Sequence, residues 1–177
     1  MENKIITRKQ AKEIRQTLDI NKISEEIVQN IKNLSFFKNA KNIMIFYPLQ
    51  NEINLLELLK TDDEKQFYLP RMNNNNLDVC PYSIGDKLIS SKFNILEPVS
   101  SAVDKKIIDL VFVPVLCTDK NFNRLGYGKG FYDNFLSDFK NLKICPCPDE
   151  LVFEDIPSQK HDIKMDLIIT QNKIYKK

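Results

Sequence analysis

Between residues 110 and 139 the sequence passes through a strand, a glycine loop and a helix in direct succession. This order constrains the fold more than any other feature. Leu110 to Leu116, with Val-Phe-Val-Pro-Val inside it, has the apolar, β-branched character of a buried strand, and Pro114 marks its end. Arg124-Leu-Gly-Tyr-Gly-Lys-Gly-Phe-Tyr-Asp133 follows. Phe131 to Phe139 then reads as a helix with Phe131, Phe135 and Phe139 on one face.

The rest of the chain repeats the alternation. Thr7 to Gln16 reads as a basic helix, with Thr7 and Gln10 forming a capping box. Ile23, Ile27, Ile31 and Leu34 form one apolar helical stripe. Ile43 to Tyr47 is a strand ended by Pro48, and Asn54 caps a short helix running through Lys60. Gln66 to Leu69 and Leu77 to Tyr82 are further strands around an exposed turn at Asn73 to Asn76, and Leu142 to Cys145 and Leu167 to Thr170 are the closing ones. Strands alternating with helices predict an α/β fold: a three-layer, mostly parallel sheet with helices on both faces. At 177 residues the expectation is a single domain over 1–177. Ligands in such sheets gather where loops leave the carboxyl ends of strands. Two loops qualify, Pro48 to Ile53 and Cys117 to Gly130.

Charge narrows the classes. A formal balance of +2 gives no field to draw nucleic acid or a membrane surface, and no basic stripe with interleaved aromatics is present. No apolar run approaches the roughly 20 residues of a membrane span. Residues 1–30 lack the apolar core of a signal peptide, so a cytoplasmic location is expected. Cys80, Cys117, Cys145 and Cys147 contain no C-x-x-C pair and read as buried, inert thiols. His161, the single histidine, reads as structural.

Alternating glycines let consecutive backbone amides approach a ligand closely. Gly126, Gly128 and Gly130 therefore describe a phosphate cradle, with Arg124 and Lys129 adding full positive charges. The loop is not a Walker A motif, since no Ser or Thr follows the lysine, and it lacks the spacing of a dinucleotide fingerprint. A solvated, flexible turn is the competing reading. Asp133, one turn into the next helix, is either a favourable charge on the helix dipole or a magnesium ligand beside phosphates.

The stretch Asp109-Leu-Val-Phe-Val-Pro through Arg124-Leu-Gly-Tyr-Gly-Lys-Gly-Phe-Tyr-Asp133 resembles the signature of the 5-formyltetrahydrofolate cyclo-ligase family. Lys4 to Arg8 resembles that family's first ATP-contacting segment, and Tyr47-Pro-Leu-Gln-Asn-Glu52 its folate-contacting turn. Asp162-Ile-Lys-Met-Asp166-Leu-Ile-Ile is similar to its closing motif. The match runs from about residue 4 to 170 in the family's order.

The resemblance implies an α/β enzyme that turns 5-formyltetrahydrofolate into 5,10-methenyltetrahydrofolate while ATP becomes ADP and phosphate. A non-catalytic folate- or nucleotide-binding relative is the alternative. By the same resemblance, ATP is held by Lys4, Ile5, Ile6, Thr7 and Arg8 and by Arg124, Leu125, Gly126, Tyr127, Gly128, Lys129, Gly130, Phe131 and Tyr132, with Arg124 and Lys129 as the catalytic charges. Tyr47, Glu52, Tyr127 and Phe131 would contact the folate, and Asp133 and Asp166 would hold Mg2+. Asp166 begins a predicted strand, which in an all-parallel sheet lies at the end opposite the glycine loop. The partners implied are these two small molecules, acting on a monomer.

Overall fold

A computed structural model of the chain describes residues 2–61, 64–160 and 162–177. His161, expected to be structural, lies outside the described residues.

Among the described residues, four α-helices and twelve strands, some very short, make up the fold with three short 3-10 turns. The helices are α1 (Glu2–Gln16), α2 (Ile20–Lys32), α3 (Ser35–Asn39) and α4 (Phe131–Leu136). The strands begin with β1 (Asn42–Met44), β2 (Gln66–Asn73), β3 (Asn76–Pro81), β4 (Leu88–Ser90), β5 (Leu96–Pro98) and β6 (Leu110–Phe112). They continue with β7 (Cys117–Asp119), β8 (Arg124–Leu125), β9 (Leu142–Pro146), β10 (Val152–Phe153), β11 (Leu167–Ile169) and β12 (Ile174–Lys176). The main sheet has the order β12-β11-β9-β6-β1-β2-β3. Its central pairings, β11–β9, β9–β6, β6–β1 and β1–β2, are parallel, and only the two edge pairings are antiparallel.

Side-chain alternation splits the core into two layers. On β1, Ile43 faces α2 and α3 while Met44 faces α1 and α4. Leu110 and Phe112 on β6 join the first layer, and Val111 joins the second. Ile144 against Cys145, and Leu167 against Ile168, divide in the same way. Ile23, Ile27 and Ile31 of α2 close the first layer, as their spacing predicts. Truncating one of the fully buried pair Ile27 and Ile31 to Ala would cost about 2–5 kcal/mol. Helices thus cover both faces of a mostly parallel sheet, the three-layer α/β fold expected. The asparagine run is the tight end of the β2–β3 hairpin, where Asn74 takes a positive φ of 53°, a conformation asparagine tolerates.

Three local expectations are corrected. Helix α1 starts at Glu2, so Thr7 is not its cap; its Oγ1 donates to the Asn3 carbonyl at 2.8 Å, one turn back. The strand read within Leu110 to Leu116, with Pro114 as its end, stops two residues earlier at Phe112; Pro114 cannot donate to a ladder, and Arg15 takes the carbonyls of Val115 and Leu116. Helix α4 ends at Leu136. Phe139 still stacks on Phe135 at 5.8 Å, but Phe131 turns to Phe93 instead, with ring centroids 6.3 Å apart.

Chain order positions the site. From β1 the chain passes to β2 on one side, and later strands β6, β9 and β11 build outward on the other. The connections therefore diverge between β1 and β6, leaving a crevice at the carboxyl ends of those strands. The loops after these two strands are the ones singled out from the sequence.

Candidate active site

A cavity of about 390 Å³ opens at this divergence. Phe46, Tyr47, Leu49 and Glu52 line it from the loop after β1, and Pro114 and the whole run from Arg124 to Asp133 from the chain after β6. Lys4 and Arg8 reach in from α1, and Asp162 from the chain before β11. Pro70, Met72, Leu77, Phe93, Ile95 and Glu97 complete an apolar wall with one carboxylate in it.

The glycine loop is held by a small second sheet of order β10-β7-β8. Buried Asp119 on β7 organises the turn before it. Its carboxylate accepts from Asn121 N, Asn123 N, Asn123 Nδ2 and Ile156 N at 2.8–3.1 Å. Four donors compensate a charge that burial would otherwise penalise. Gly128 and Gly130 then adopt φ of 91° and 76°, in the region that favours glycine. Helix α4 has six residues, so the cradle's positive character comes from the loop amides and the flanking cations more than from a long helix dipole.

The cations are each placed by a different contact. Arg124 pairs with Asp133, Nη2 to Oδ1 at 2.7 Å, with the Arg124 side chain only 6% exposed. Lys4 pairs with Asp162 at 2.5 Å and contacts Gln159 at 3.4 Å. Arg8 donates from Nε to the Gly126 carbonyl at 2.9 Å. Lys129 lies over the Phe93 ring at 5.2 Å, with no ion-pair partner among the described residues.

Glu52 sits on the other side of the loop. Its Oε2 accepts from Leu49 N at 2.8 Å, and it is hydrogen-bonded to the Tyr127 hydroxyl. Burial raises its carboxyl above the ordinary range, opposed by these two donors and by the Arg15 charge. Tyr127 is shifted upward by burial, by the Glu52 charge and by that hydrogen bond. Tyr132 is pushed up by burial and Glu52, against the pull of Arg124. The Tyr132 hydroxyl is buried in the cavity wall with no hydrogen-bond partner among the described residues, a donor available to a ligand oxygen.

Of the residues expected to touch ATP, Lys4, Arg8 and all nine from Arg124 to Tyr132 line the cavity. Ile5, Ile6 and Thr7 do not: Ile5 and Ile6 are 64% and 59% exposed, on the solvent side of α1. Tyr47, Glu52, Tyr127 and Phe131, expected at the folate, all line it. Asp166 does not reach the cavity. It opens β11, which runs parallel to β9 and through it to β6, so it sits at the opposite end of the sheet. There it accepts from Lys143 N at 2.9 Å and pairs with Lys143 Nζ at 2.7 Å. Parallel topology overrides the motif's position.

No three carboxylate, thiolate or imidazole groups gather into a metal cage among the described residues. Magnesium brought by a nucleotide needs less, usually one or two carboxylates with water and phosphate oxygens. Asp133 fits that role, since among the described residues only its Oδ1 is engaged by a protein partner. The cysteines are free and buried, with Cys117 pushed up to about 12 by burial and by Cys147.

Sequence reasoning missed Arg15. Its Nη1 donates to Asn51 O, and its Nη2 to Val115 O and Leu116 O, tying α1 to both crevice loops. The signal was present, because Lys4, Arg8, Ala11 and Arg15 recur at helical spacing and Ala11 is fully buried.

With this geometry in place, comparison with known proteins is decisive. Residues 2–171 match the profile of the 5-formyltetrahydrofolate cyclo-ligase family. The chain belongs to that family. A 5-formyltetrahydrofolate cyclo-ligase from Mus musculus is 28% identical over 154 residues, covering 77% of this chain and 76% of the relative. One from Saccharomyces cerevisiae is 27% identical, covering 96% and 95%. The NMR structure of 5,10-methenyltetrahydrofolate synthetase from Aquifex aeolicus superposes with a TM-score of 0.86 at 30% identity, covering 98% of this chain and 92% of that one. No helix of this cyclo-ligase family member is long and apolar enough to cross a membrane, among the described residues.

Proposed function

We propose that the chain is an ATP-dependent 5-formyltetrahydrofolate cyclo-ligase, forming 5,10-methenyltetrahydrofolate, ADP and phosphate. The observation that carries this reading is the joining of two chemistries in one cavity. The glycine loop with Lys4, Arg8, Arg124 and Lys129 suits a triphosphate, while Glu52, Tyr47 and the apolar wall suit a flat heterocycle. Family membership supplies the reaction that uses both.

The N5-formyl oxygen is amide-like and a poor leaving group. Transfer of the γ-phosphoryl group to it breaks the bond to ADP and gives an N5-iminium carbon bearing a phosphate ester. N10 attacks that carbon, its proton is lost, and the carbon–oxygen bond breaks to release inorganic phosphate and leave the methenyl cation.

Phosphoryl transfer needs positioning and charge neutralisation more than covalent help. Arg124 and Lys129 neutralise the phosphate oxygens, and Lys4 and Arg8 close over the nucleotide from α1. The Tyr132 hydroxyl donates to a ligand oxygen at the cavity wall. Glu52, steadied by Leu49 N and Tyr127, orients the folate and carries negative charge near the carbon that becomes cationic. Asp133 would hold Mg2+, which supplies further charge neutralisation at the phosphates when bound.

Purified protein mixed with 5-formyltetrahydrofolate, ATP and magnesium should develop the absorbance of methenyltetrahydrofolate, with one ADP per product. Binding of both ligands without ADP release would identify a non-catalytic relative and overturn the assignment.

A further inference from the structure

The cavity holds a second buried carboxylate that no motif marks. Glu97, on β5, is 7% exposed and lines the cavity beside Met72, Phe93 and Ile95. Its Oε1 accepts one hydrogen bond, from Met72 N at 3.2 Å, and among the described residues it has no ion-pair partner. The adjacent cation does not serve it. Arg71 directs its guanidinium to Asp78 and to the carbonyls of Pro98 and Ser100. With one donor among the described residues, this buried carboxylate is under-satisfied, since a carboxylate can accept about four hydrogen bonds. Its complement is a ligand edge presenting two N–H donors side by side, as a carboxylate receives them bidentately.

We propose that Glu97 is the specificity residue for the pterin end of the folate, accepting from N3–H and the 2-amino group of the aminopyrimidinone ring. This rests on the cyclo-ligase reading, which supplies the ligand. The apolar neighbours suit the ring faces, and the charge of Glu97 repels the anionic glutamate tail from this end. Substrate orientation follows: the aminopyrimidinone lies at β5, the tail points away from it, and the formyl group lies toward the glycine loop. Glu97 and Glu52 then divide the substrate between them, one at the ring edge and one beside Tyr127.

The test compares binding of 5-formyltetrahydrofolate with that of its 2-desamino-2-methyl analogue, which lacks the amino donor. Wild-type protein should prefer the natural ligand by roughly 10- to 100-fold, the worth of a hydrogen bond to a charged group. Glu97→Ala should bind both ligands equally, with ATP affinity unchanged. Glu97→Gln keeps the shape but turns an N–H toward the ring or leaves a single acceptor, and should lose most of the preference. It decides the matter if the alanine variant fails to fold. A variant that folds and keeps the wild-type preference overturns the role of Glu97 and leaves the enzyme assignment intact. A folded wild-type protein that neither binds nor converts 5-formyltetrahydrofolate overturns both.

Discussion

The guanidinium of Arg8 occupies the space into which any side chain at Gly128 would grow: Nη2 lies 3.0 Å, and Cζ 3.1 Å, from the position of a Cβ there. Residue 128 is therefore glycine for two reasons, its φ of 91° and the arginine packed against it. Gly128→Ala must strain the loop and shift the Arg8 guanidinium by a few tenths of an ångström in the cavity wall. Backbone strain of about 1–3 kcal/mol is expected, with a several-fold or larger rise in KM for ATP. Thermal unfolding and an ATP titration check both. An unchanged KM would detach Arg8 from nucleotide binding.

Lys129 and Asp133 should separate cleanly. Lys129 has only the Phe93 ring for a partner among the described residues, so Lys129→Ala should leave stability nearly unchanged while lowering turnover by about 10²- to 10³-fold. Asp133→Ala removes the counter-charge of buried Arg124 and should cost stability as well as activity. The loss is set at about 1–2 kcal/mol, below that of a fully buried pair, because the Asp133 side chain is 33% exposed. Equal melting temperatures for the two variants would contradict the pairing.

Glu52 carries a pH signature. Burial raises its folded pKa above the ordinary 4.5, so between that value and the raised one the native state holds more protons than the unfolded state. Stability due to this group therefore falls as pH rises through the window and stays reduced above it. Glu52→Gln should be more stable than wild type at neutral pH, with the gap closing as pH drops toward 4.5. Its turnover should drop at least about tenfold, through loss of a charge-assisted contact. Denaturant melts across pH, alongside the absorbance assay, test both halves.

Removal of divalent metal should abolish turnover and leave the melting temperature where it was. No cage of three or more metal-binding side chains exists among the described residues to lend metal-dependent stability. A large fall in melting temperature with chelator would point to a resident ion.

The parallel core was legible because its signals are local. Ile43 and Leu110 stand in short apolar runs, and the stripe of α2 has a clear period. The glycine loop was legible because its backbone demands glycine at 128 and 130. Residues 84–100 were not: β4 and β5 are three residues each, and Glu97 gains its meaning from Met72 on β2, a strand of another sheet packed against β5 and 25 residues earlier. Asp166 lies away from the cavity for a related reason. A motif preserves order along the chain, whereas the end of the sheet on which a residue falls depends on strand direction. Arg15 announced itself by spacing, but its three carbonyl partners lie 36 to 101 residues away.

Helix α1 lies far ahead of its anchors in the sequence. Arg15 waits for Val115, Arg8 for Gly126 and Lys4 for Asp162, separations of 100, 118 and 158 residues. Such distant closures are slow to form and exposed to error while the chain is incomplete. The α1 side of the cavity therefore cannot close until Asp162 has been made, and nascent chains stopped before it would carry most of the sheet without that closure. Closure of the cavity on that side waits for α1 to dock onto the segment before β11.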